Sequence, residues 1–591
     1  MRLAVVCVAV LALSACSPQE SPPPPPDSSA LIARVDSLAT AVLQAEVSAN
    51  PELGTEWGLP DAANGRIRDN SPTGIRIAQS YEDVLYQRAL SIDPAPLTGT
   101  PQWVTYGVLR DALERSRALR VCRNPFWGVA SYVNGWQATY TDLALIQPVG
   151  TDTLRALALA RAHALPGYID IEVANLRAGL EEDFSSPKVI VRNVIRQLDG
   201  LLATPVRQSP FYSPALRDSS KAFGRELARI ITEELNPAID RYRDFLASEY
   251  LRRARTELGV SANPDGLKCY RAAVRNFATV EMPPDSVFAM GEVQMAKIVG
   301  EMQAISNRSF GGESALSLLK RLSTDPRYMY QSSQEIIDTA QAVINRAKAG
   351  MGKWFGRLPK ADVVIEPYPE FRQKAGAPGQ YQSAPEDGSR PAIFLINPSR
   401  PTEHSRADGE NTSMHEAIPG HHLQTAIAKE RKDLHPLSRY MFSSGFGEGW
   451  ALYAERLGDE MGLYSSDLGR MGMLASEAFR AARMVIDAGI HTRGWTREQA
   501  LDYLLSHTVL PKHIAEGEID RYISWPGQAP SYMIGRTEIM RLREEARAKM
   551  GDQFDIKAFH DRVLEDGTVP LAMLRAKIDA WLANGGRSES K

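Results

Sequence analysis

Three of the ten histidines in this 591-residue sequence fall between positions 415 and 422, in the run SMHEAIPGHHLQ. Neutral imidazoles are common zinc ligands, and a glutamate, Glu416, directly follows His415. In the familiar arrangement H-E-x-x-H the two histidines lie about 6 Å apart along one helix face. They share one ion there, and the glutamate stands beside its water. Here position 419 is proline, so the literal spacing is absent. Proline in a helix removes the bond to the carbonyl four residues back and crowds it, so the helix is expected to bulge or break at Pro419-Gly420. A bulge returns His421 to the face of His415. In an unbroken helix His422 aligns better in angle, but its Cα lies about 10.5 Å along the axis, a long reach for one ion. His421 is therefore preferred and His422 kept as the alternative. The plain reading is a helix end flanked by histidines that bind nothing.

A catalytic zinc needs a third protein ligand. Glu448 lies twenty-seven residues beyond His421, and Glu455 seven further on, on the same helical face. Either could serve. The neighbours Trp450, Ala451, Leu452 and Tyr453 argue that this helix is buried, where a carboxylate needs a partner. His491 follows Asp487 by four, which allows an imidazole oriented by a carboxylate or a histidine of purely structural role. Arg521 reads equally as a surface ion pair or a ligand for a peptide carboxylate.

These groups need a rigid frame. Leu31, Val35, Leu38, Val42 and Leu43 form one helical stripe, and Phe288, Met295, Val299 and Met302 another. Helical runs are expected near 75–93, 101–120, 154–181, 188–203, 214–258, 283–306, 333–356 and, with breaks, 436–583. Strand signals are confined to 362–366 and 392–396, with a Pro/Gly-rich loop over 367–391 between them. The expected fold is mostly α, a large helical body, two-lobed around a cleft, with a small sheet. The edge of strand 392–396 could pair with an extended peptide backbone; packing in the core is the other reading. Lys and Arg total 68 against 71 Asp and Glu, a formal net charge of -3, so no global field draws the chain to nucleic acid or anionic lipid.

The N-terminus, MRLAVVCVAVLALSACSPQE, has an eleven-residue apolar run, about 16 Å as a helix and too short to span a bilayer. It reads as a signal peptide over 1–15. The tetrapeptide ending in Cys16 resembles the lipobox of bacterial lipoproteins, which implies lipidation of Cys16 and a membrane anchor; Ser17 after it favours the outer membrane, facing the periplasm. Residues 16–29 carry five consecutive prolines and read as an extended tether. The folded domain is expected over 30–585, with a tail at 586–591. Cys122 and Cys269 remain as one possible disulfide or two buried thiols.

The segments HEAIPGHHLQ, EGWALYAE, VIDAGIHTRGW and RYISWPGQAPSYMIG resemble a widespread bacterial family of unknown function placed beside the glutamate-zincin (gluzincin) metallopeptidases, and the resemblance covers nearly the whole mature chain. The order of motifs is similar to that of thimet oligopeptidase, angiotensin-converting enzyme and Taq-type carboxypeptidases. It differs by the two extra residues Pro419-Gly420; dipeptidyl peptidase III, with one extra residue, is the analogy for a lengthened motif that binds zinc. The resemblance implies a zinc ion held by His415, His421 and Glu448, with Glu455 supporting from behind. It implies Glu416 as general base and a downstream tyrosine, Tyr532 before Tyr522, at the oxyanion; His491 joins the catalytic candidates. The expectation is a zinc peptidase acting on small peptides in the cell envelope. A catalytically silent lipoprotein scaffold and a zinc hydrolase of a non-peptide amide are the alternatives.

Overall fold

Apolar residues at helical spacing become buried faces along almost the whole chain. In the helix Ser29–Ala49 the buried residues are Val35, Leu38, Ala39 and Val42. In Pro284–Ser309 the buried face is Val287, Gly291, Met295, Ile298, Met302 and Ile305. Val299, expected inside, is 40% exposed, because the stripe runs one position away from it. The computed structural model describes residues 29–586 except 60–61, 133, 369–372, 374–377 and 385–389. The signal segment, Cys16 and most of the tether therefore lie outside the described residues, as does the tail beyond 586.

The architecture is mostly α-helical with one three-stranded sheet. Pro101–Leu119, Asp152–Glu181 and Lys188–Ala203 fall close to the expected runs, and Trp136–Ile146 and Gly266–Ala278 add helices that periodicity did not single out. Most buried apolar residues form one core from Val35 to Leu582, and Tyr368, Ile393 and Leu395 form a small second cluster at the sheet. Cys122 and Cys269 form a disulfide that ties a short turn after Pro101–Leu119 to the helix Gly266–Ala278. No helix among the described residues is long and apolar enough to cross a membrane.

The sheet comprises β1 (Val363–Pro367), β2 (Gly379–Gln382) and β3 (Ala392–Ile396), in the order β1-β3-β2. β1 pairs in parallel with β3, Val363 opposite Ala392, and β2 pairs antiparallel, Tyr381 opposite Phe394. This corrects the expectation that β3 offers an edge to substrate. β3 is the central strand and all five of its residues are buried. The strand expected to be loop, β2, has the sequence GQYQ, whose polar residues gave no apolar alternation; it lies at the sheet's edge, where such composition is tolerated.

Six helices after β3 carry the candidate residues: α1 (Arg406–Glu416), α2 (His421–Glu430), α3 (Ser444–Glu460), α4 (Asp467–Arg493), α5 (Lys512–Ser524) and α6 (Ser531–Met550). α1 packs on both α3 and α4, and α3 packs along α6. The last pair approaches closely because glycines meet: a Cβ on Gly535 would lie 1.6 Å from the Gly445 carbonyl oxygen, and one on Gly449 would lie 2.6 Å from the Gly535 Cα. This crossing brings the first turn of α6 against the start of α3.

Candidate metal centre

The first histidine sits at the end of a helix and the second at the start of another. α1 ends at Glu416, Ala417 to Gly420 make a turn with a cis Ile418–Pro419 peptide, and α2 starts at His421. The proline thus breaks the helix instead of bulging it. A Cβ on Gly420 would fall 1.9 Å from the carbonyl oxygen of His415, so the turn folds back onto α1 at a distance only glycine permits. The buried Trp450 of α3 donates its indole N–H to the Pro419 carbonyl at 3.0 Å and pins the turn to the next helix.

That turn places His415 and His421 side by side, with ring centroids 5.0 Å apart and rings nearly perpendicular. Both Nε2 atoms face one carboxylate: Glu448 Oε2 is 3.7 Å from His415 Nε2 and 3.6 Å from His421 Nε2. Zinc bonds of about 2.0–2.1 Å in a tetrahedron put ligand atoms roughly 3.4 Å apart, so this donor set fits a zinc ion with little movement. All three side chains line one cavity of about 450 Å³.

His422 and Glu455 take supporting positions. The His422 ring lies between the Ala361 carbonyl, 3.1 Å from Nε2, and the Tyr381 hydroxyl, 3.3 Å from Nδ1, away from the cluster. Glu455 is fully buried with Oε1 2.7 Å from His415 Nδ1, so it fixes the ring from behind and leaves Nε2 aimed at Glu448.

The charges are those of a cation site. Burial disfavours protonation of His415, but the Glu448 and Glu455 carboxylates beside it outweigh that and push the imidazole up to about 9. Burial would raise Glu448, yet the two histidines hold it well below the usual carboxylate range. Glu455 is likewise lowered, against its burial, by His415. Two carboxylates around two imidazoles thus attract a positive charge, which a divalent ion would supply without a proton.

Glu416 lines the same cavity, and its Oε2 accepts the backbone N–H of Tyr381 at 2.8 Å. That N–H points outward from β2, so the sheet edge holds this carboxylate. Tyr532, in the first turn of α6, also faces the cavity, and its hydroxyl makes no hydrogen bond among the described residues. The Arg483 guanidinium stacks against its ring, 4.9 Å from the centroid.

Three sequence candidates do not join them. His491 is fully buried, with Nδ1 accepting the Val260 N–H and Nε2 donating to the Tyr522 carbonyl, each at 3.0 Å. Its nearest Asp487 oxygen is 3.9 Å from Nε2, too far for a hydrogen bond, and Asp487 accepts instead from the Tyr270 hydroxyl at 2.7 Å. Burial lowers His491 to about 4, so it is a neutral ring satisfied by backbone and not an acid–base group. Tyr522 is buried and donates to Glu518 at 2.7 Å. Arg521 pairs with Gln528 and Glu518 and lies outside the cavity lining. The helical i, i+4 spacing of Asp487 and His491 was real, but tertiary neighbours took both side chains.

Sequence reasoning missed Tyr381, Arg480 and Arg483, all of which line the cavity. Tyr381 carried no signal because its role is a backbone one. The arginines did carry one: they are two permanent charges inside the otherwise apolar stretch from Phe479 to Ile486.

No curated protein matches this sequence. Among solved structures, a candidate lipoprotein from Colwellia psychrerythraea is similar at 26% identity and a TM-score of 0.84, over 93% of this chain and 99% of that one. A candidate lipoprotein of unknown function from Shewanella oneidensis shares the fold at 18% identity, with a TM-score of 0.74 over 92% and 99% of the two chains. The family model described as bacterial protein of unknown function (DUF885) matches residues 51–578, and the chain belongs to that family.

Proposed function

We propose that this protein is a zinc-dependent peptidase of the gluzincin type. The observation that carries the reading is the convergence of His415 Nε2, His421 Nε2 and a Glu448 oxygen in one cavity that also holds Glu416. His415, His421 and Glu448 would hold the metal. A zinc ion bound there supplies Lewis acidity, which polarises a peptide carbonyl and brings the pKa of a water toward about 7.

The chain's own groups do the rest. Glu416 accepts the proton of the attacking water and returns it to the leaving amine. The Tyr381 N–H holds one oxygen of that carboxylate and leaves the other for the proton. Tyr532 donates its hydroxyl to the oxygen that gains charge as the carbonyl becomes tetrahedral. Arg483 keeps the Tyr532 ring in place by stacking.

Cys16 in its lipobox-like setting and the description of two structural neighbours as candidate lipoproteins support a lipid-anchored protein of the cell envelope, and Ser17 after Cys16 favours the periplasmic face of the outer membrane. Substrates there are small peptides. Metal analysis together with a peptide-cleavage assay tests the reading. Stoichiometric zinc and chelator-sensitive cleavage are expected; absence of zinc from the reconstituted protein, or metal content unchanged in the His415→Ala, His421→Ala double variant, would overturn it.

A further inference from the structure

Four cations line the same cavity, Lys429, Arg439, Arg480 and Arg483, against Glu416 and Glu448 as carboxylates among the described residues. Both carboxylates already have functions at the metal. Lys429 donates to the Ser383 hydroxyl at 2.9 Å and to the Ala384 carbonyl at 2.8 Å, so the cations have to be told apart one by one.

The two arginines of α4 differ. Arg483 is buried and compensated: its Nη2 is 3.1 Å from Glu518 Oε2, its Nε is 3.1 Å from the Tyr522 hydroxyl, and its flat face stacks on Phe479 and Tyr532. Arg480, one turn earlier on the same face, has no carboxylate within ion-pair distance among the described residues. Its Nη1 donates only to the Ser476 hydroxyl and carbonyl, and its Nε is buried without a hydrogen-bond partner. Glu455, which feels the Arg480 charge, is itself bonded to His415. A guanidinium presents donors in a planar fork that matches a carboxylate in two parallel hydrogen bonds. Arg480 lies over the Phe479 ring, 5.5 Å from its centroid, but leaving its charge without a carboxylate beside a cavity is costly unless a ligand completes it.

We infer that Arg480 anchors the free C-terminal carboxylate of the peptide in this cavity, so that the protein trims peptides from their C-terminal end. The inference rests on the peptidase reading for the bond that is cut, but the anchoring of a carboxylate is measurable without turnover. Arg480 is a specificity-determining residue, and the ligand class is a short peptide with an unblocked C-terminus.

The test uses the zinc-loaded Glu416→Gln protein, which binds without cleaving, titrated calorimetrically with one short peptide as the free acid and as the C-terminal amide. A third peptide is the amide with glutamate in the last position. The free acid is expected to bind at least tenfold more tightly than the amide, with that preference abolished by adding Arg480→Gln and partly kept by Arg480→Lys. Unchanged melting and zinc content show that these variants are folded. Equal affinity for acid and amide, or a preference that survives Arg480→Gln, overturns the proposal. Recovery of affinity by the glutamate amide overturns its end-selective part, since a side-chain carboxylate then suffices. With unmutated protein, cleavage of acid and amide at equal rates removes the Arg480 site and leaves the peptidase. Preferential binding of the acid with no peptide cleaved leaves the Arg480 site and removes the peptidase.

Discussion

Glu455 Oε1 lies 2.7 Å from Nδ1 of His415, while the Nε2 of the same ring faces Glu448. One glutamate of α3 thus orients a proposed ligand and the other is itself a proposed ligand, two turns apart on one helix face. Outer carboxylates of this kind typically contribute 10–100-fold to metal affinity. Glu448→Ala is expected to abolish stoichiometric zinc binding, and Glu455→Gln to weaken it by about 10–100-fold, measured by competition with a chromophoric chelator. His422→Ala should keep the metal, because its ring is turned toward Ala361 and Tyr381. Loss of zinc in Glu455→Gln but not in Glu448→Ala would reverse the two roles.

The proposed base and oxyanion donor separate kinetically from the ligands. Glu416→Gln should retain zinc and lose turnover. Tyr532→Phe should lower kcat by roughly 10²–10³, the usual cost of one oxyanion donor, with KM nearly unchanged. A Tyr532→Phe enzyme with full kcat would reassign that donor.

The α3–α6 crossing depends on glycine at position 535. An added methyl would meet the Gly445 carbonyl and force the helices apart. Gly535→Ala is expected to cost about 1–3 kcal/mol in urea unfolding, the range for overpacked contacts. It should also reduce activity, because Tyr532 lies one turn away on α6 and Glu448 on α3. Wild-type stability in this variant would show that the crossing opens without penalty.

Asp487 predicts a pH dependence of stability. Its burial pushes the carboxyl up to about 7, against hydrogen bonds from Tyr270 and the Gly527 N–H. The folded value lies above the ordinary one, so the folded state binds more protons between about 4 and 7. Stability from this group is present at acid pH and is lost as pH rises through that window, by up to about 1.4 kcal/mol per unit. Asp487→Asn keeps an acceptor for both donors and cannot ionise. Its stability relative to wild type should therefore rise between about pH 4 and pH 8; a difference that stays flat with pH would remove the buried ionisation as its cause.

Much of the frame was legible because it depends on local pattern. The stripe through Val35, Leu38 and Val42 buries as read, since an amphipathic helix has one way to hide its apolar side. The strand AIFLI stood out as a short apolar run, whereas GQYQ did not, because an edge strand is defined by its neighbour and not by its own side chains. Val299 missed the core by one position, which a 3.6-residue period leaves open when apolar residues flank the stripe on both sides.

By itself, the sequence determined the residue types of the site and an interruption between its histidines: His415 beside Glu416, Pro419-Gly420 where the helix must bulge or break, and glutamates seven apart downstream. Those follow from composition and from what proline does to a backbone. Only the tertiary structure decided that His421 and not His422 faces His415, that Glu448 closes the donor set, that Glu455 stands behind it, and that Tyr532 lines the cavity while His491 does not. The physical reason is that the turn at Pro419 resets the phase of the second helix. The direction of each side chain then depends on how separate helices dock, on the Gly445–Gly535 approach and the Trp450–Pro419 hydrogen bond, and no period along the chain encodes that.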